Sequence, residues 1–421
     1  MVARHLDTDG DNSPLPESDA ICVAHVSTYP PRQCGLAQFC DDLVKWTSCG
    51  RDGMAPLVVA MERRGQPHAY PEPVALTVTD DNEAEYEAAA QFINQSSAQI
   101  VVLQHEFGIF GGTESRLLLR LFDGLRKPVV TVLHTVLEDP EAPMREMLRM
   151  IARRSARLVV MNSLARPILG HDYGIHPERI RLVHHGAPAP QAQDRESVRV
   201  RLGLTGRRVL STFGLVGRGK GLEYVIRALP AVRKRHPDVC YLVVGQTHPS
   251  VRQAEKESYR DELRELARSL KLDDSVRFIN RYLEQQEIVE YLAATDIYLT
   301  PYLNPHQITS GTLAYAMASG KAIVSTPYRY ARFLLAEDRG ILVPTRSEEA
   351  TAAAVNRVLD SPELQRQYEA RAGAYGSQMF WPKIAARYRA LFREVLAERR
   401  GRHPLATPVE HQQRLAMPSG G

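Results

Sequence analysis

Two stretches of the chain set cations, glycines and hydroxyls at spacings suited to holding anionic oxygens. In "STFGLVGRGKGLEYVIRAL" (211–229) an apolar run ends, a helical pattern begins, and Gly217, Gly219 and Gly221 alternate with Arg218 and Lys220 between them. Glycines let the backbone approach a ligand closely. The helix start adds free N–H groups and its dipole, and the two side chains add charge. The spacing is not Gly-x4-Gly-Lys-Ser/Thr, so that phosphate loop is absent. The plainer reading is a solvated basic turn. The second stretch, "HQITSGTLAYAMASGKAIVSTP" (306–327), reads as a loop, a short helix, a stop at Gly320 and a strand. Thr309 or Ser310 caps that helix, and the N–H groups of Ser310, Gly311 and Thr312 face a second set of anionic oxygens. The stretch carries no carboxylate; its polar groups include Gln307 and Tyr315.

Three more loops carry candidate chemistry. In "STYPPRQCGLAQF" Pro30 and Pro31 end a strand and Gly35 opens a helix, as a ligand-facing loop or simply as a tight turn. A Gly-x-Gly-x-x-Gly fingerprint is absent there. "LQHEFGIFGG" (103–112) places His105 and Glu106 at a strand end, and "VLHTV" places His134 at another. A lone histidine is usually structural, but two at neighbouring strand mouths give the site reading comparable weight. "MREMLRMIARRSARLVV" (144–160) is a basic helix with Arg149, Arg153 and Arg154. It reads first as a solvated face, with anionic lipid headgroups as the alternative.

The elements that position these loops follow from alternation. Short apolar runs at 21–29, 55–61, 99–106, 128–135, 157–162 and 179–185 are separated by helical patterns, and the rhythm restarts at 207–216, 239–245, 275–283, 296–302, 321–327 and 340–344. Buried parallel strands joined by helices make doubly wound sheets. The fold class is therefore α/β, with two Rossmann-like domains facing a cleft. We divide the chain into a disordered leader (1–19), an N-terminal domain (20–190), a linker (191–206), a C-terminal domain (207–375), an amphipathic helix carrying Trp381 (376–400) and a disordered tail (401–421). Ligands of such sheets bind beyond the carboxyl ends of the strands, where all five loops lie.

Composition sets bounds. A chain of 421 residues is too long for one ordinary domain. A net charge of +4 is too weak a bias to imply nucleic acid and suits a small anionic ligand. The five cysteines form no metal-binding spacing and read as reduced thiols in a cytoplasmic protein, so neither zinc nor a disulfide is expected. The leader lacks an apolar core, and no window is long enough to span a bilayer.

Together, "STYPPRQCGLAQF", "QHEFGIFGG", the Gly-rich Lys loop, "HQITSGTLAYAMASGKAIVSTPYRYA" and Trp381 resemble glycosyltransferase family 4, and within it a mannosyltransferase-like branch, over about residues 21–395. The resemblance implies a GT-B fold and retaining transfer of a hexose, mannose by branch, from a nucleotide-diphosphate sugar to an acceptor hydroxyl. The acceptor would be a glycan, a lipid-linked molecule or a small molecule. The C-terminal domain would hold the donor, the N-terminal domain the acceptor, and the last helix would cross back to the N-terminal domain. By position, Lys220 would grip the diphosphate, His134 would contact the donor sugar, and the Gly35 loop would approach the phosphates or the acceptor. No metal or other cofactor is expected, and membrane contact would be peripheral, at the inner face.

The chain departs from the family pattern at three positions. Gln307 and Tyr315 replace the two acids of a Glu-x7-Glu motif, and the family's arginine five residues before the lysine falls on Leu215, leaving Arg218 as its stand-in. Gln307 would keep neutral hydrogen bonds to sugar hydroxyls, and Tyr315 would replace a ribose contact by stacking. Two other readings stand beside transfer: an epimerase or phosphorylase on the same architecture, and a non-catalytic sugar-nucleotide binding protein.

Overall fold

A computed structural model describes residues 20–401 except 113 and 192. The leader and all but the first residue of the tail lie outside the described residues. Among the described residues thirteen strands form two sheets. The first contains β1 (Cys22–Ser27), β2 (Ala55–Glu62), β3 (Val74–Thr79), β4 (Ile100–His105), β5 (Val129–Leu133), β6 (Arg157–Val160) and β7 (Ile180–Leu182). Its order is β3-β2-β1-β4-β5-β6-β7 and its pairs are parallel. The second contains β8 (Arg208–Phe213), β9 (Val239–Val244), β10 (Val276–Ile279), β11 (Ile297–Thr300), β12 (Ala322–Ser325) and β13 (Ile341–Leu342), in the order β10-β9-β8-β11-β12-β13, again parallel. In each sheet the order reverses beside the first strand, and the crevice at such a switch point is where ligands bind.

Central strands β1, β4 and β9 are buried along their whole length, because helices cover both faces. β3 lies outside the strand runs read from sequence. It is an edge strand whose exposure alternates, "VALTVT", and it follows a Pro-rich stretch, so it lacks the continuous apolar run that marks its neighbours. The run at 275–283 is strand only over Val276–Ile279. Inside the linker, helix Arg195–Arg201 buries Val198 in a core of the second sheet, and Arg199 bonds Asp296 at 2.6 Å.

The last helix, Trp381–Gly401, packs on the first domain. Trp381, Ile384, Tyr388 and Phe392 share one cluster with Val23, Phe39 and Leu43. Where the chain passes between domains, the two passes lie side by side: Ala187 N–H donates to Met379 O at 2.9 Å, and Trp381 N–H donates to Ala187 O at 3.0 Å. All five cysteines are free. No described helix is long and apolar enough to cross a membrane.

Candidate active site

On the second domain, β8 runs into Gly214 and then the loop carrying Lys220. Gly214 (φ +117°) and Gly245 (φ +132°) end β8 and β9 in conformations that favour glycine, and a Cβ on Gly245 would lie 2.1 Å from Gly214 O. The lysine loop is fixed to the segment after β11. The Gly219 carbonyl accepts from Leu303 N–H at 2.9 Å, and a Cβ on Gly221 (φ +61°) would meet Pro301 O at 2.3 Å. These contacts hold the Lys220 ammonium 3.8 Å from the centre of the Tyr302 ring, a cation–π contact. The Tyr302 hydroxyl lies 3.1 Å from Thr312 Oγ1 at the start of helix Gly311–Ala318. Ser310 caps that helix, its Oγ accepting from Leu313 N–H. Lys220 and the Ser310–Thr312 helix start are thus brought together, and among the described residues no carboxylate pairs with the lysine.

Other site residues are placed as follows. Gln307 donates its amide N–H to Thr309 O at 3.0 Å, bracing the loop before the cap. The Gly217 carbonyl accepts from Lys220 N–H, and the Gly219 Cα faces open space. Arg218 does not join Lys220's partners. Its guanidinium is exposed, bonded to Glu262 at 2.6 and 2.8 Å and to Glu255 at 3.0 Å, with Tyr259 beneath it. Two carboxylates on the following helices outcompete the cleft for it, so the sequence-based stand-in role is not what the geometry gives it.

The first domain presents imidazoles. His134, just past β5, bonds Gln104 Oε1 at 2.8 Å and meets Phe39 edge-on. His105 is fully buried with both ring nitrogens unpartnered, against Phe107 and Phe110. Burial holds His134 well below the usual histidine range, with His185 and His105 adding repulsion, and burial lowers His105 to about 4. At neutral pH these rings are uncharged hydrogen-bonding groups. The Glu106 carboxylate accepts from Thr135 Oγ1 at 2.7 and 2.9 Å and from the Phe107 backbone, and burial pushes its carboxyl up. Gly35 opens helix Gly35–Ser48, with open space where a side chain would sit, and Cys34 Sγ caps it.

The domains meet over these loops. His185, after β7, bonds Gly186 O through Nδ1 and turns its other edge to the second domain: a Cβ on Gly311 would be 3.1 Å from His185 Nε2. Glycine at 311 therefore lets a first-domain imidazole sit against the start of the second domain's helix. Asn162 Nδ2 donates to Ile308 O at 2.5 Å, Gln246 Nε2 donates to Gln33 Oε1 at 2.6 Å, and Arg329 pairs with Glu138. Burial, with Arg63 and Lys220 nearby, holds His248 below the usual range, so a first-domain arginine and the loop lysine act on the same ring.

Tyr315 takes a different place from the one read in sequence. Its ring is buried edge-on to His185, not offered for stacking, and its hydroxyl is turned across the cleft. It accepts from Gln285 Nε2 at 2.9 Å and lies 3.4 Å from Asp42 Oδ2, which also accepts from Gln285 at 2.8 Å. Burial raises the Asp42 carboxyl to about 7; Asp41 adds to this, while bonds from Gln38, Tyr315 and Gln285 oppose it. The folded chain therefore holds this proton more tightly than the unfolded chain does. The stabilising contribution is complete below the ordinary aspartate value, near 3.9, and is lost as pH rises through about 7. Asp42→Asn keeps both acceptor contacts without the charge. It should match wild type near pH 4 and be more stable at pH 8 by on the order of 1–4 kcal/mol; denaturant titrations at the two pH values check this.

Residues 207–361 match the family model described as glycosyl transferases group 1. That match lies within the second domain. A phosphatidyl-myo-inositol mannosyltransferase of Mycolicibacterium smegmatis is 29% identical over 42% of this chain and 42% of its own length. A D-inositol 3-phosphate glycosyltransferase of Corynebacterium glutamicum is 26% identical over 66% of this chain and 69% of its own. The chain thus spans under half the length of the first of these curated relatives. Among solved structures, a glycosyltransferase from Rickettsia africae aligns with TM-score 0.72 at 14% identity, covering 90% of this chain and 99% of its own. Anabaena HepE in complex with UDP and glucose aligns with TM-score 0.69 at 17% identity, covering 89% and 100%. These structural likenesses establish the GT-B fold. The sequence reading missed His185, Asn162, Asp42 and Gln285. His185 stands in a run that reads simply as a strand end, and the other three meet partners across the domain boundary that local sequence does not show.

Proposed function

We propose that this glycosyltransferase moves a hexose, with mannose as the first candidate, from a nucleotide-diphosphate sugar to an acceptor hydroxyl with retention of configuration. The observation that carries the reading is Lys220, a cation without a carboxylate partner among the described residues, held by Tyr302 beside the Ser310-capped helix start. Preorganised cations and N–H groups stabilise charge that develops on a leaving diphosphate. The acceptor oxygen attacks the anomeric carbon from the face the diphosphate leaves. The bond to the phosphate oxygen breaks, and the hydroxyl proton passes to that oxygen. Neutral His134 acts as a hydrogen-bonding group on the donor sugar.

The Mycolicibacterium relative's name supports mannose, and the Anabaena structure's title, which names UDP and glucose, supports a nucleotide-sugar donor. The names of the two curated relatives above contain inositol, which supports testing a cyclic polyol or its lipid conjugate first as acceptor.

The test is a panel of GDP-, UDP- and ADP-sugars scored by thermal shift and then by transfer. One donor should raise apparent stability by about 2.7 kcal/mol at 100 times its dissociation constant, and should be slowly hydrolysed without acceptor. Binding without transfer or hydrolysis would leave a binding protein. Donor conversion without an acceptor would mark an epimerase, and a need for free phosphate a phosphorylase. Gln307→Ala should raise the donor KM by about 2- to 12-fold, the worth of one neutral hydrogen bond, with kcat little changed.

A further inference from the structure

A cavity of about 750 Å³ opens at the far end of the first sheet from the cleft, where β5, β6 and β7 begin. Arg126 and Lys127 line it from before β5, Arg153 and Arg157 from around the start of β6, Arg179 from before β7, and Arg399 from the last helix. With Arg154 beside Arg153, seven cations from four places in the chain thus surround one space. The acids that line it are Glu178 and Glu398. The floor is apolar, with Pro128, Val129 and Val395.

Several of these cations are held in position but not neutralised. Arg179 donates to Ala152 O at 2.7 Å and to Ser155 O, at the carboxyl end of helix Ala142–Arg154. Arg399 donates to the Arg126 carbonyl at 2.5 Å. Among the described residues neither Arg126 nor Lys127 has a carboxylate partner. Arg157 reaches Glu394 and Glu398 on the last helix, yet its Nε–H is buried without an acceptor. Burial, together with repulsion from Arg157, lowers Arg179 below the usual arginine range. Like charges pressed together over an open space, with a buried N–H left over, are what an absent anion would relieve.

The basic helix for which lipid headgroups were the alternative to a solvated face contributes only its end. Arg149 is turned to Tyr173 O, Arg153 also pairs with Glu146, and Arg154 pairs with Asp123. The anion-binding character lies in the cavity rather than along the helix face.

We infer that this cavity is a second binding site, separate from the cleft, for an anion of the phosphate class, either a free phosphate or the phosphate of a lipid headgroup. Planar guanidinium groups suit phosphate oxygens, and the apolar floor suits the ester carbon beside them. Nothing here depends on the cleft's own reaction.

The test uses the full chain with Lys220→Ala, which weakens phosphate binding in the cleft, with and without the pair Lys127→Ala and Arg399→Ala. Neither of those two side chains is bonded to a carboxylate, so their removal strands no acid, and circular dichroism confirms folding. Inorganic phosphate is titrated calorimetrically, and sedimentation with vesicles of phosphatidylglycerol or of phosphatidylcholine alone follows lipid binding. Phosphate binding that falls at least about tenfold in the pair variant supports the site with a free anion as ligand. Binding confined to phosphatidylglycerol vesicles, and lost in the pair variant, supports it with a headgroup as ligand. Binding to neither, or binding untouched by the pair variant, overturns it.

Discussion

Lys220→Ala should lower kcat by about 100- to 1000-fold, the loss seen when one preorganised charge-stabilising donor is removed. Among the described residues the lysine touches the Tyr302 face and no carboxylate, so its removal strands no buried acid and the melting temperature should barely move. Arg218→Ala provides the contrast. That guanidinium is exposed and tied to Glu255 and Glu262, so it steadies the loop that carries Lys220 without facing the cleft. A fall in kcat below about tenfold is expected there. Steady-state rates for both variants with saturating donor are the check. A Lys220→Ala enzyme with wild-type turnover would remove the basis of the proposed mechanism.

Trp381→Ala should cost about 3–5 kcal/mol, the range for a large aromatic removed from a packed core. The indole is fully buried, 5.5 Å from the Phe39 ring, and fills the space beside Gly186, where a Cβ would come within 2.4 Å of it. Phe39 in turn carries His134 and His185 on its edges. The loss should therefore reach activity as well as stability. Urea unfolding followed by circular dichroism gives the first effect, and kcat in the absence of denaturant gives the second. Trp381→Phe should recover most of both.

The two sheets were legible because their central strands are buried on both faces and so read as unbroken apolar runs. β3 was not, because an edge strand alternates and a Pro-rich stretch precedes it. The loops that carry Lys220 and Ser310 were legible because glycine, cation and capping residue are local signals. Where their side chains point was not. Arg218 is claimed by acids 37 and 44 residues further on, and Tyr315 by an aspartate 273 residues before it. Gly311 looks in sequence like an ordinary first helical residue, and only the His185 ring lying against it shows why it is glycine.

The paired backbone passes at Ala187 and Phe380 give any opening of the cleft a single hinge line. Every other link named between the domains, from Gln33–Gln246 to Asp42–Gln285 and Glu138–Arg329, depends on at least one side chain. Of these links, the exposed ones exchange readily with water and each contributes only about 0–1 kcal/mol. Any opening of the cleft would therefore break side-chain links while the pivot's own backbone bonds stay intact.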